Sequence, residues 1–459
     1  MWHISSDNLG KAMKHRLPTG PLVLLVIFVS LCACSSGLQQ GTILTSISVT
    51  PTSCTIGVNG TQQFKATGYY SDGTTVDLTY QCTWNSSNTA IASYATTEIG
   101  AFKGVASGTA TITATQGSSL SGQATIKVLP YAPSDLQGSW NLMVFNTGPD
   151  VTAGTYPGWI RENISVDANG EITFSSFLDS SSNTTPPTDT LILTINTSTG
   201  AITETTNGEQ DTLHGWISSD KTIFFAVSSP GNDRQIYIAV NQNGTTFSST
   251  DISSLNFVYH TIMSGKSSDW SYGDGSIDGS QQLTVSSCTE SSGSCTTPTA
   301  TTLSIDSTGI VTSSIDSKWQ GVMTPDKETI FITQGDGTTN ATTLMVMQVT
   351  GSQTYVQSDA AGTWHQGSIN NASSTSSAEW DYATVSIDNS GIMTWSSWLD
   401  STGSTTLPQS ATISLSSNGT ITFPSISSAN GTMSVNKNMI IMTMTSSESG
   451  SNQLGILMK

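Results

Sequence analysis

The sequence predicts an all-β chain in two parts, a small sandwich followed by a three-copy repeat region, and three observations predict it. Short runs of alternating apolar and polar residues, such as Ile47-Ser48-Val49-Thr50 and Gly108-Thr109-Ala110-Thr111-Ile112-Thr113-Ala114, are separated by turn-forming residues. Charged residues make up only 10% of the chain, so Ser, Thr, Asn and Gly carry the polarity, as in exported β-structure with many turns. A self-similarity with a period of about 110 residues then runs through residues 134–459.

The N-terminal segment sets the expected address. Lys11, Lys14 and Arg16 precede the apolar run Leu22 to Val29, which is too short to span a bilayer and suits a signal segment, and the run closes on Leu31-Cys32-Ala33-Cys34. This segment resembles a bacterial lipoprotein signal peptide. The resemblance implies that residues 1–33 are removed, that Cys34 is diacylated and that residues 34–44 form a lipidated tether; Ser35 after the cysteine implies outer-membrane sorting in a Gram-negative source. An ordinary secretory signal with an incidental cysteine is the alternative. The expected location is the cell envelope, at the outer membrane or cell surface, with the lipid holding the chain to the membrane. A net charge of −18 repels nucleic-acid phosphates, so no nucleic-acid partner is expected.

Four further cysteines remain in an oxidising compartment, where pairing is expected. Cys288 and Cys295 flank a polar, Gly-containing turn and are expected to bridge a hairpin mouth, and Cys54 is expected to pair with Cys82. No C-x-x-C motif or histidine cluster accompanies them, so neither a metal nor a cofactor is expected.

Residues 45–129 carry I-S-V-T-P, G-T-Q-Q-F-K-A-T-G, Y-S-D-G-T-T-V-D-L-T, T-W-N-S-S and G-V-A-S-G-T-A-T-I-T-A in order. They resemble the bacterial Ig-like group 2 domain, which implies an Ig-like β-sandwich acting as spacer or binding module. Trp84 is then a core residue and Asp72-Gly73 a hairpin turn. Residues 130–133, ending Ala132-Pro133, read as a stiff linker.

The copies span about 134–242, 243–351 and 352–459. Asp167 returns as Asp278 and Asp388, Asp220-Lys221 as Asp326-Lys327 and Asn436-Lys437, and Gly138-Ser139-Trp140 as Gly362-Thr363-Trp364. Each copy is doubled internally, because Ile217 to Phe225 echoes Ile164 to Phe174 about 53 residues earlier. The run from Ile217 to Val240 resembles a β-propeller blade of the S-x-D-G-x-x-I type, with Lys221 in place of the glycine, which implies six four-stranded blades. The alternative is three tandem eight-stranded meander barrels, because G-[ST]-W at Trp140 and Trp364 also resembles the first strand of lipocalin and avidin-like barrels.

Trp159, Trp270 and Trp380 fall in register across the copies and suit either stacking on sugar rings or packing between repeat units, packing being what a residue repeated in every unit serves. Trp395 and Trp398, which match Phe174 and Phe177, read as strand-core residues. His214, His260 and His365 share no pattern, and no catalytic residue is expected. Asp167-Ala168-Asn169-Gly170, Asp274-Gly275 and Asp336-Gly337 read as hairpin turns before they read as calcium loops. The expected function is a binding or interaction platform for a surface glycan or protein, carried on an Ig-like spacer. The alternatives are a glycan-processing hydrolase or lyase, marked by a pair of carboxylates, and a purely structural envelope protein.

Overall fold

The structure, a computed structural model, describes residues 41–96, 98–117, 120–147, 158–210, 212–230, 233–242, 244–265, 269–291, 300–335, 341–371, 378–445 and 451–459. The expectations about the signal segment, Cys34, Cys295 and Asp336-Gly337 lie outside these residues. Apart from short 3-10 turns, the described chain is built of strands.

Residues 44–129 fold as a sandwich. Strand Leu120–Leu129 pairs antiparallel with Gly108–Gln116 and parallel with Ser53–Gly57, while Leu44–Thr50 pairs with Lys65–Tyr70 in a facing sheet. Alternation decides which side is buried. Ala124, Ile126 and Val128 point inward with Ile47, Val49, Phe64, Phe102 and Ile112, and the residues between them face water. Trp84 is half-buried at the edge of this core, its indole N–H donating to the Thr79 carbonyl at 2.9 Å. Asp72-Gly73 forms the expected turn, with Gly73 at φ +83° and the Asp72 carboxylate accepting the Thr74 amide at 2.9 Å.

Cys54 and Cys82 are free thiols, contrary to the expected bridge. Cys54 lies in Ser53–Gly57 and Cys82 just before Thr83–Ser86, the two opposite edge strands of one four-stranded sheet. Three inter-strand steps of about 4.8 Å exceed the roughly 7 Å that a disulfide tolerates between Cα atoms. Cys288 is disulfide-bonded.

The six-bladed propeller is not what the repeat region forms. In each copy hydrogen bonding runs through eight successive strand positions and returns from the last to the first, so no four-stranded blade with its own edges exists. The first copy pairs Gly138–Asn146 with both Trp159–Val166 and Gln235–Asn241, and a single bridge between Glu171 and Ile192 joins its third and fourth strands. The second copy is a closed barrel whose first strand, Leu255–Ser264, pairs with its last, Thr342–Val349. In the third, Gly362–Asn370 pairs with Asn452–Met458, and Ile413 interrupts the fourth strand. Three eight-stranded meander units, the middle one closed, replace the ring of blades.

Each barrel is plugged and tied in the same way. Trp140 and Trp364 are fully buried on their first strands, their indole N–H groups donating to the Leu136 and Ala360 carbonyls at 2.8 Å. Phe257 takes this register in the second barrel, and a Cβ on the facing Gly275 would lie 2.3 Å from its ring, so only glycine fits there. The repeated lysine has its own logic. Lys221, Lys327 and Lys437 sit at φ +63°, +64° and +62°, the left-handed region glycine would favour. From there each ammonium reaches the aspartate of the 3-10 turn before its barrel, Asp135 at 3.3 Å and Asp251 and Asp359 at 2.8 Å, and lies over Tyr131, Phe247 or Tyr355.

The barrels share a central core. Strands such as Ile223–Ser228 are buried along their whole length, because one face lines the barrel while the other meets neighbouring barrels. Phe145, Phe225 and Ile238 of the first barrel, Ile262, Phe331 and Val346 of the second, and Ile369, Ile441 and Ile456 of the third belong to one cluster.

Candidate functional site

Each member of the in-register tryptophan set is buried, to 2–3% exposure, and each reaches into the next barrel. The Trp270 indole N–H donates to Thr445 Oγ1 and that of Trp380 to Ser229 Oγ, both at 2.6 Å, while Trp159 lies against Gly335. Ser229, Gly335 and Thr445 occupy one repeat position, so the contacts run in a cycle from the first barrel to the second, to the third and back. These indoles pack between repeat units and offer no open face to a sugar.

The histidines also sit at seams. His260 is fully buried between Thr443 Oγ1 at 3.1 Å and Thr432 Oγ1 at 3.0 Å, and burial pushes its imidazole down to about 3. His365 stacks on Trp216 with ring centroids 3.7 Å apart, and burial lowers it to about 4. His214 lies against Trp380 and Tyr382, its pKa lowered by burial. Both ring nitrogens of His260 are thus taken by threonine hydroxyls, and the other two imidazoles lie against aromatic rings at the seams between barrels. Asp167, Asp278 and Asp388 each accept two backbone N–H groups of their own turn at 2.7–2.9 Å, as hairpin residues do. Among the described residues, no three His, Cys, Asp or Glu side chains gather as a metal site.

Space opens inside the outer two barrels. The first holds a chamber of about 360 Å³ walled mainly by aliphatic and aromatic residues, among them Leu142, Ile164, Phe174, Leu193 and Phe224. Alternation on Trp159–Val166 turns Ile160, Glu162 and Ile164 to this chamber, and alternation on Ala201–Thr206 brings Glu204 and Thr206 to it. Glu162 is 6% exposed and makes no hydrogen bond or ion pair with a described residue; burial raises its carboxyl to about 7. Exposed Pro187, Asp189 and Pro230 stand at the chamber's rim.

The third barrel's chamber is about 220 Å³, walled by Met393, Trp395, Trp398, Phe423 and Met442. Trp395 and Trp398 are thus half-buried wall residues and not closed core, Trp395 donating to Gln366 Oε1 at 3.2 Å. Beside it Asp381 is held by Ser368 Oγ at 2.8 Å and Gln453 Nε2 at 2.7 Å, and burial, reinforced by Asp400 and Glu379, raises its carboxyl to about 7.

Neither chamber was anticipated from sequence. The available signal was departure from the repeat: counted from the repeated aspartates, Glu162 stands where the other copies have Gly273 and Ala383. A charge where the sister copies keep a small residue marks a barrel interior that has diverged.

Residues 43–128 match the bacterial Ig-like domain (group 2). Over 171 residues the chain is 33% identical to ice-binding protein 1 of Shewanella frigidimarina, a stretch covering 36% of this chain and 17% of that protein. Among solved structures, transferrin binding protein B of Neisseria meningitidis aligns over 67% of this chain and 64% of its own, at 8% identity and a TM-score of 0.24. A transferrin binding protein B mutant from Haemophilus parasuis aligns over 86% and 83%, at 8% identity and 0.22. TM-scores this low do not make the folds alike.

Proposed function

We propose that this chain is a lipid-anchored binding protein of the cell envelope, in which the Ig-like domain is a spacer and the three fused barrels form a rigid body that holds small, largely apolar molecules. The supporting observation is the pair of chambers in the first and third barrels. Concave, mainly apolar walls carrying a few polar groups are the usual composition of a ligand site, and 360 Å³ falls at the small end of the roughly 300–1,000 Å³ such sites span. The anchor rests on Cys34.

The test is titration of the full chain with an environment-sensitive apolar fluorophore. Saturable binding is expected, with the first-barrel component lost in Leu193→Trp, which fills that chamber; signal without saturation, or unchanged in that variant, overturns the reading. In membrane fractions the chain should be retained through its lipid, at roughly 0.8 kcal/mol per buried CH₂, and Cys34→Ala should become soluble.

A hydrolase is the second reading, favoured by one observation: Glu162, raised to about 7, and Glu204 share a chamber, as an acid and a base would. It ranks below binding because the chamber's wall is mainly aliphatic and aromatic, where most of a sugar's hydroxyls would go unpaired.

A further inference from the structure

We infer that the first-barrel chamber is a site for a small amphipathic cation, a primary alkyl or aryl amine whose ammonium pairs with Glu162 while its apolar tail lies against the Leu142, Ile164 and Phe224 side of the wall. The inference rests on the binding reading above and names its ligand class.

The geometry is one of a missing partner. Glu162 is about nine-tenths buried, lines the chamber and has no hydrogen bond or ion pair with any described residue. Among the described residues no lysine, arginine or histidine lines the chamber, and Arg161, the chain neighbour of Glu162, points to the opposite face of the strand. The other titratable groups among the described lining residues are Asp189, Glu204 and Tyr237, all of them acids. A carboxyl left alone in apolar surroundings either keeps its proton or takes a cation. A fatty acid would bring a second anion into this set, and a neutral alcohol would leave the charge uncompensated. An ammonium supplies the charge and up to three donors, for Glu162 and the neighbouring acceptors.

The pH response has a defined sign. Burial holds the empty-site Glu162 carboxyl near 7, so an always-charged amine meets an ionised partner above that pH and a protonated one below it. Amine affinity therefore falls as pH drops from 8.5 to 6, and alcohol affinity does not. A fatty acid would show the reverse, binding better at low pH.

The experiment is calorimetric titration of the full chain with n-octylamine, n-octanol and octanoate at pH 6 and 8.5, in the wild type, Glu162→Gln and Glu204→Gln. At pH 8.5 the wild type should prefer octylamine to octanol by tenfold or more, Glu162→Gln should lose that preference while still binding octanol, and octanoate should bind weakest. Retained octanol binding shows that the variant is folded. An amine preference unchanged in Glu162→Gln, or equal binding of amine and alcohol in the wild type, overturns this inference and leaves the binding reading standing. If none of the three probes binds any of the chains, both fail.

Discussion

At the residue scale, two pairs of buried groups make folding depend on pH in opposite senses: the carboxyls of Glu162 and Asp381, and the imidazoles of His260 and His365, which stay neutral in the fold and cost stability as pH falls below about 6.5. Both carboxyls are raised to about 7, from ordinary values of 4.5 and 3.8, chiefly by burial. Below the ordinary value folded and unfolded forms are both protonated and nothing is lost; between there and about 7 only the unfolded chain ionises freely, so stability declines as pH rises and levels off above 7. With one pKa unit worth about 1.4 kcal/mol, each group costs on the order of 3 kcal/mol at pH 8. Denaturant unfolding of the ligand-free wild type and Glu162→Gln at pH 4.5 and 8 isolates the carboxyl, because the histidines are common to both: relative to the variant, the wild type should lose about 3 kcal/mol between the two pH values. A stability difference between wild type and Glu162→Gln that is the same at pH 4.5 and 8 would contradict the burial of Glu162. The sequence carries Glu162 only as an exception to its repeat, because whether a strand residue points inward depends on which strands close on each other.

At the scale of elements, the repeated Ser-x-Asp-Lys and Thr-x-Asp-Lys hairpins were legible as a repeat but not as to their purpose. The blade motif that these hairpins resemble has a glycine after the aspartate, and the lysines that replace it here occupy the backbone region that a glycine would, from which they reach an ion pair with the 3-10 turn beneath. Lys327→Ala keeps the left-handed φ and removes the pair; with the lysine more than a third exposed, a loss of about 0.5 kcal/mol is expected. Lys327→Gly removes the same pair but relieves a backbone cost of about 1 kcal/mol, so it should be at least as stable as the alanine variant by thermal unfolding. The reverse order would mean that the lysine is unstrained. The turns at Asp167, Asp278 and Asp388, the period and the register were readable, since they depend on neighbours in sequence, but Asp274-Gly275, expected as a turn, lies within strand Asp269–Ile277, where the glycine makes room for Phe257. The partner of the last strand was not, because pairing with the first strand of the same copy or of the next satisfies the same alternation.

At the scale of the whole molecule, the barrels are bodies that cannot be taken apart cleanly. Gly367 of the third barrel faces Phe225 of the first, and a Cβ there would fall 2.2 Å from a ring carbon of that fully buried side chain. Gly367→Ala should cost about 1–3 kcal/mol, and Phe225→Leu in the same chain should return at least 1 kcal/mol of it, a coupling across barrels that additive effects would disprove. Removal of residues 352–459 would bare Phe225, Ile238, Ile262 and Phe331 together.

The cyclic hand-over of Trp159, Trp270 and Trp380 also bears on ancestry. Every copy carries an outgoing indole and an equivalent receiving position, so the three seams repeat as they would between three products of a single-copy gene arranged around a threefold axis. Tandem duplication of such a gene turns an assembly that depends on concentration into one that does not. It also ends the constraint that all copies be the same. Fusion is then what allows one interior to hold Glu162 and Glu204 where another holds Ala383 and Phe423, and diversification of the chambers follows from the permanence of the ring.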